Sequence, residues 1–448
     1  MSMKYTRLAT AAICGAVLLF VVSACSDLTG VGSEVGDPLE GGDPESFELL
    51  ADSLAGNTLP AATGYAIPAV APPDQRRTWR FLTGRVDDPL VGQIRADGYL
   101  DLDSTDAVPE AIQGADPDTL QAELRLTTTY LHGDSSSTLQ VELYDLAQEV
   151  EMSRAPADTT FETEGGPITT GSISPTDSLV TLSLPSSWIA EHQGTLLNPS
   201  ANLEDNFYGL KVAPTNGNVV VGFEYRTAQL RIRTDSRSRS VDYQLDQAFT
   251  HIEASGSPSV SPDEGSEVLL DGVGRGLYMS WSDSQVLDSL RESNTPLNRA
   301  EITVPIDTIQ TQASLEGMPD SFVRPLPSGY RIRAVRRPSS PACNQFGLFV
   351  LPESAQTCLI PTNPDWVPSA ARAASDVAFS IFNRGVAEPL AFSSFRVELA
   401  ERTTASPSDR ETVRRGLPST LPAIVRTDAP AGGDTDILPR VTLVVTPL

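Results

Sequence analysis

Apolar and polar positions alternate over short runs along most of this 448-residue chain. Ala122, Leu124 and Leu126 alternate with Glu123, Arg125 and Thr127. Leu139-Gln140-Val141-Glu142-Leu143 repeats the pattern. Val219, Val221, Phe223 and Tyr225 share one side of a run, as do Phe395, Val397 and Leu399. A period of two places alternate side chains on opposite faces, so these runs predict antiparallel strands with one face buried and one wet. The 35 prolines and 32 glycines supply turns and interrupt helices. Helices are expected only over Ser187 to His192, Ser284 to Glu292 and Pro368 to Ala374.

The same patterning carries an internal repeat. Gly98-Tyr99-Leu100-Asp101-Leu102 aligns with Gly276-Leu277-Tyr278-Met279-Ser280, and Ala122-Glu123-Leu124-Arg125-Leu126 with Ala300-Glu301-Ile302-Thr303-Val304. Both matches have one offset, 178 residues. Each half ends on an alternating strand, Leu230-Arg231-Ile232-Arg233 in the first and Val441-Thr442-Leu443-Val444-Val445 in the second. About 400 residues also exceed what one sandwich core supports. The expected fold is therefore all-β, with two tandem antiparallel β-sandwich domains at 45–235 and 240–448 and a boundary at Thr234 to Ser240.

Ahead of the first strand lies a different kind of sequence. Lys4 and Arg7 precede a 15-residue, largely apolar run from Leu8 to Val22, too short for a permanent membrane span. Val22-Ser23-Ala24-Cys25 then resembles a lipobox, which marks 1–24 as a lipoprotein signal peptide and Cys25 as the lipidated residue. Several acyl chains at ~0.8 kcal/mol per buried methylene would anchor the chain stably to a membrane. Residues 25–44, rich in Gly, Pro and acid, read as a flexible tether. Ser26-Asp27 looks like the start of an export signal for the cell exterior, so the expected address is the outer membrane, with display on the cell surface.

Charge narrows the partners. The formal net charge is −26, and loss of Lys4 and Arg7 leaves 30 basic residues against 58 acidic ones, a formal −28. Such a surface repels nucleic acid phosphates. Lys4 and Lys211 are the only lysines, so 30 of the 32 basic residues are arginine. That bias fits either adaptation to concentrated salt or genomic base composition. Outside the cytoplasm, Cys343 and Cys358 read as a disulfide closing a loop worth ~3 kcal/mol, with two buried thiols as the alternative.

Chemistry is sparse. Nucleophile elbow, zinc-protease and phosphate-loop motifs are absent, and His132 reads as part of a hairpin turn with Gly133-Asp134-Ser135. The chain is thus expected not to be an enzyme. Asp101, Asp103 and Asp106 could share a structural Ca2+, or form an acidic strand end in water. Trp188, Trp281 and Trp366 neighbour polar or turn residues and are the candidate ligand-binding rings, with packing as the competing role.

Two family resemblances add to this. Gly98 to Glu149, with its loop-linked strands, and Asn206-Phe207-Tyr208-Gly209-Leu210 with the strands after it resemble DNRLRE-type carbohydrate-binding modules. Leu438 to Val445 looks like that module's last strand. This resemblance implies a jelly-roll sandwich for both halves and a polysaccharide ligand. The whole chain is similar to Bacteroidota lipoproteins of domain of unknown function 4270. The lipobox, Leu82-Thr83-Gly84, Asp88-Pro89-Leu90-Val91-Gly92, the paired Gly98 and Gly276 regions and Val268 to Gly274 carry that similarity, which implies no reaction. Polysaccharide binding is accordingly the first expectation, and binding to another envelope protein the second.

Overall fold

The computed structural model describes residues 44–50, 53–58, 80–103, 108–149, 152, 159–198, 203, 206–234, 239–270, 272–273, 275–280, 289, 297–325, 329–336, 358–361, 394–400, 419–428 and 438–445. These residues are mostly strand, in large antiparallel sheets. Among the described residues no helix is long and apolar enough to cross a membrane. The helix expected at Ser187 to His192 is present and longer; the two expected at 284–292 and 368–374 lie essentially outside the described residues.

The first half is built on β3 (Arg80–Asp88), β4 (Gly92–Leu102), β5 (Leu120–Asp134), β6 (Leu139–Leu146), β7 (Thr163–Ile173), β8 (Leu179–Leu184), β9 (Leu210–Asn216), β10 (Val219–Glu224), β11 (Gln229–Thr234) and β12 (Ser240–Ser255). Short helices α1 (Glu110–Gln113) and α2 (Ser186–Leu196) interrupt them. Pairing closes on itself in the order β12-β11-β5-β10-β3-β4 and back to β12. Two strands make this closure by changing partners along their length. β5 pairs β11 and β8 through residues 120–127 and β10 from Thr128 onward; β12 pairs β11 through Gln244 and β4 from Leu245 onward. The enclosed core includes Leu124, Leu126, Leu139, Val141, Leu210, Val221 and Phe223.

The second half repeats part of this wiring with β13 (Ser266–Leu270), β14 (Arg275–Ser280), β15 (Leu297–Thr303), β17 (Gly329–Arg336), β18 (Cys358–Pro361), β19 (Ser394–Ala400), β20 (Pro422–Arg426) and β21 (Arg440–Val445), of which β15 and β21 pair in a sheet of their own with the strand at Glu45–Leu50. β13 and β14 stand adjacent as β3 and β4 do, β19 flanks β14 as β9 flanks β4, and β17 and β18 follow outward as β6 and β7 do. Helix α3 (Thr308–Ala313) and the two-residue β16 (Phe322–Val323) complete the set, with β16 on the edge of β5.

Strand pairing crosses the expected boundary at 234–240. Residues 240–255 belong to the first half through β12. The N-terminal strands β1 (Glu45–Leu50) and β2 (Ser53–Thr58) belong to the second, pairing β21 and β14. The pairing therefore defines a first half of 80–255, inserted into a second half made of 45–58 and 266–445.

One strand shows why the halves stay together. Val219, Val220 and Val221 are all fully buried. The odd positions face the first-half core, and Val220 faces a second cluster in which Leu82, Val86, Ile94 and Tyr130 meet Leu270, Phe322, Leu421 and Ile424. The expected wet face of this strand is covered by the second half. Gly84 sits beside it with φ 142, and a Cβ there would lie 2.3 Å from the Val219 carbonyl oxygen, so only glycine fits.

Candidate functional site

Two groups of polar side chains stand out. The first is buried where the halves meet. Asp88 ends β3, Tyr130 and His132 lie on β5, Arg324 follows β16, and Thr420 precedes β20. Arg324 donates from Nε to Asp88 Oδ2 and from Nη2 to Oδ1, both at 2.8 Å. The Leu90 amide also donates to Oδ1, at 2.8 Å. His132 Nε2 is 3.0 Å from Oδ2, and its Nδ1 is 2.8 Å from Thr420 Oγ1, which is 3.1 Å from the Tyr130 hydroxyl. Arg324 Nη1 reaches the Thr311 carbonyl and Ser314 Oγ on and beside α3. Burial pushes the Asp88 carboxyl up, but the hydrogen bond and charge of His132 and the charge of Arg324 outweigh it and hold the pKa below 3.8.

Hydroxyl, imidazole and carboxylate thus stand in the order of an acid–base relay. His132 and Thr420 are nevertheless fully buried, and both Asp88 oxygens are occupied by Arg324. The array closes an interface and offers no atom to a substrate. His132 is accordingly a buried strand residue; the turn expected to contain it is formed by Asp134, which accepts from Ser136. Sequence reading missed this group because its members come from positions as far apart as Asp88 and Thr420.

The second group lies on the outward face of β4, β9 and β6. Period-two alternation sends Leu100 inward, and Arg95, Asp97 and Tyr99 the other way. Arg95 Nε and Nη2 hold Asp97 Oδ1 at 3.1 and 3.0 Å, while Lys211 Nζ holds Oδ2 at 3.1 Å. Register places Tyr144 opposite Lys211 and Lys211 opposite Tyr99. Tyr144 donates to Glu142, which together with burial raises the Tyr144 pKa. Lys211 Nζ lies 5.4 Å from the Tyr99 ring centre. Tyr99, Leu146, Met152 and Phe249 form a small apolar cluster, against which half-exposed Phe161 and Tyr208 pack. Phe161 stands edge-on to Tyr99 at 5.0 Å. Fixed charges and partly open rings therefore share one sheet face.

The residues singled out from sequence fare differently. Trp188, on α2, is only 3% exposed, and its indole N–H donates to both Asp145 oxygens at 3.0 Å. Its ring packs on His192 and Phe207, so it is a core residue with a satisfied donor, not an open ring. Trp281 and Trp366 lie outside the described residues, as do Cys25, Cys343 and Asp106. Cys358 opens β18, opposite Arg336. Asp101 accepts from the Leu102 amide and Asp103 donates its amide to the Gln244 carbonyl, both at the end of β4. Among the described residues no three His, Cys, Asp or Glu side chains are grouped to hold a metal. No family model matches the chain, and no curated protein proves similar to it.

Proposed function

We propose that this chain is a non-enzymatic lipoprotein of the outer membrane, anchored through Cys25, that binds an extracellular polysaccharide on the outward face of β4, β9 and β6. The observation that carries this reading is the adjacency of half-exposed Tyr144, Phe161 and Tyr208 to the Arg95–Asp97–Lys211 network. Sugar hydroxyls need donors and acceptors at fixed positions, and sugar C–H faces need apolar rings. Side chains already held by one another lose little freedom on binding. The sequence resemblance to carbohydrate-binding modules and the lipobox support the same reading, and the net charge of −26 opposes nucleic acid as ligand.

Retention of the detergent-solubilised chain on a panel of insoluble or gel-embedded polysaccharides tests it. At least one glycan should retain the chain, and Lys211→Met or Tyr144→Ala should weaken retention about tenfold, the loss expected for a hydrogen bond to a charged group or a ring contact. Trp281→Ala and Trp366→Ala examine the two other indoles singled out from the sequence. Failure across the panel, with steady recovery of one envelope protein from native membranes, would replace this reading by that of an assembly partner.

A further inference from the structure

Each half of the fold is finished by a strand from the other repeat. In the second half, Phe47 and Leu49 of β1 stand opposite Leu443 and Val441, which in turn pair Ala300 and Ile302. In the first half, Val241 and Tyr243 of β12 stand opposite Ile232 and Leu230, which pair Ala122 and Leu124. Ala122 and Ala300, like Leu124 and Ile302, are the positions related by the 178-residue repeat. The next stretch agrees. Ala55 and Asn57 of β2 pair Tyr278 and Gly276, while Ala248 and Thr250 of β12 pair Leu100 and Gly98. Segments 45–58 and 240–255 are thus the same strand of the two repeats. The sequences concur, Ser46-Phe47-Glu48-Leu49 matching Ser240-Val241-Asp242-Tyr243. Each opens its own repeat and lies in the sheets of the other.

We infer that the two repeats have exchanged their first strands within one chain, and that residues 45–58 are a detachable strand that a second copy of this chain can supply. The two strands are not equally fastened. β12 runs for 16 residues and only residues 235–239 separate it from β11, the Thr234 amide donating to the Arg239 carbonyl. Segment 45–58 consists of two six-residue pieces, and residues 59–79 separate it from β3. A link of that length spans up to roughly 70 Å when extended, at about 3.3–3.6 Å per residue. A strand donated by a neighbour would make the same pairings as the chain's own, so the closed and exchanged forms differ chiefly in concentration terms. A linked strand has an effective concentration on the order of millimolar. Dilute chains are therefore closed monomers, and exchange grows where chains are crowded. Crowding on a membrane rests on the lipidation proposed above; the exchange itself does not.

The test uses the Glu48–Thr442 pair, directly opposed across β1 and β21. Full-length Glu48→Cys/Thr442→Cys chains carrying two different tags are mixed, cycled through mild denaturant at increasing concentration, and oxidised. The expected result is a 48–442 disulfide within single chains at low concentration, and a fraction joining the two tags that rises with concentration. Deleting residues 62–75 leaves a link of seven residues and should raise the mixed fraction, because shortening a hinge disfavours the closed form. Either type of bond reports a folded second half. Bonds confined to single chains at every concentration, in both the full-length and shortened forms, would overturn the inference.

Discussion

Asp88 and Arg324, 236 residues apart, meet through two parallel hydrogen bonds of 2.8 Å with both side chains fully buried. One comes from each half, so this pair, together with the His132–Thr420–Tyr130 hydrogen bonds, fixes the halves against each other beside the apolar cluster around Val220. Breaking a buried pair leaves an uncompensated charge, which costs more than the intact pair contributes.

Arg324→Leu should accordingly destabilise the protein by about 3–5 kcal/mol in denaturant unfolding. Asp88→Leu combined with Arg324→Leu should cost clearly less than the two single changes added together. Strict additivity would mean that the two groups do not depend on each other.

Acid should act through the same carboxylate. Asp88 has a folded pKa below 3.8, held there by His132 and Arg324 against the opposing effect of burial. Its contribution is present in full above the unfolded value and is lost as pH falls through the lowered folded value. The Asp307 carboxyl is also held low, against burial, by hydrogen bonds from Gln310 and by Arg426, and adds to the same loss. Unfolding midpoints should therefore fall from about pH 5 downward, and Asp88→Asn should flatten that decline while lowering stability at neutral pH. An equally steep acid limb in the variant would assign the loss to other carboxylates.

Glycine substitutions should separate close approach from backbone preference. Gly84→Ala meets the Val219 carbonyl and should cost several times as much as Gly165→Ala, which also has positive φ but nothing within 4 Å. The latter should lose only about 1–2 kcal/mol. Comparable losses at both sites in thermal melts would contradict the packing described for β3 and β10.

Removing the exchanged strand should expose the dependence of the first half on β12. A chain ending at residue 235 lacks the strand that pairs both β11 and β4. It should show little amide protection over β4 and β11, whereas a chain ending at residue 258 should recover it. Equal protection in the two truncations would show that the ring closes without β12.

Strand existence was legible in the sequence because alternation reports a half-buried sheet directly, as in Ala122 to Thr127 and Leu139 to Leu143. Val220 was the exception in view: a third apolar residue between Val219 and Val221 signals burial on both faces. Partner choice was less accessible. Nothing local tells Phe47 to pair Leu443, since that pairing depends on which groove is open after the rest has folded. The short match between Ser46-Phe47-Glu48-Leu49 and Ser240-Val241-Asp242-Tyr243 was the available sign. His132 was hidden by its neighbours, because a turn-forming Gly133-Asp134 masks a strand end. The outward group was hidden by ordinariness. Arg95, Asp97 and Glu142 look like solvated strand positions until register brings Lys211 and Tyr144 beside them.

Hydrogen exchange of the full chain, with and without a polysaccharide that retains it, tests the central claim most directly. Binding on the outward face should slow exchange in Arg95 to Tyr99, Glu142 to Tyr144 and Lys211 to Ala213, and Lys211→Met should reduce that protection together with retention. Protection confined to segments around Trp281 or Trp366, with these three strands unchanged, would contradict the assignment of the site.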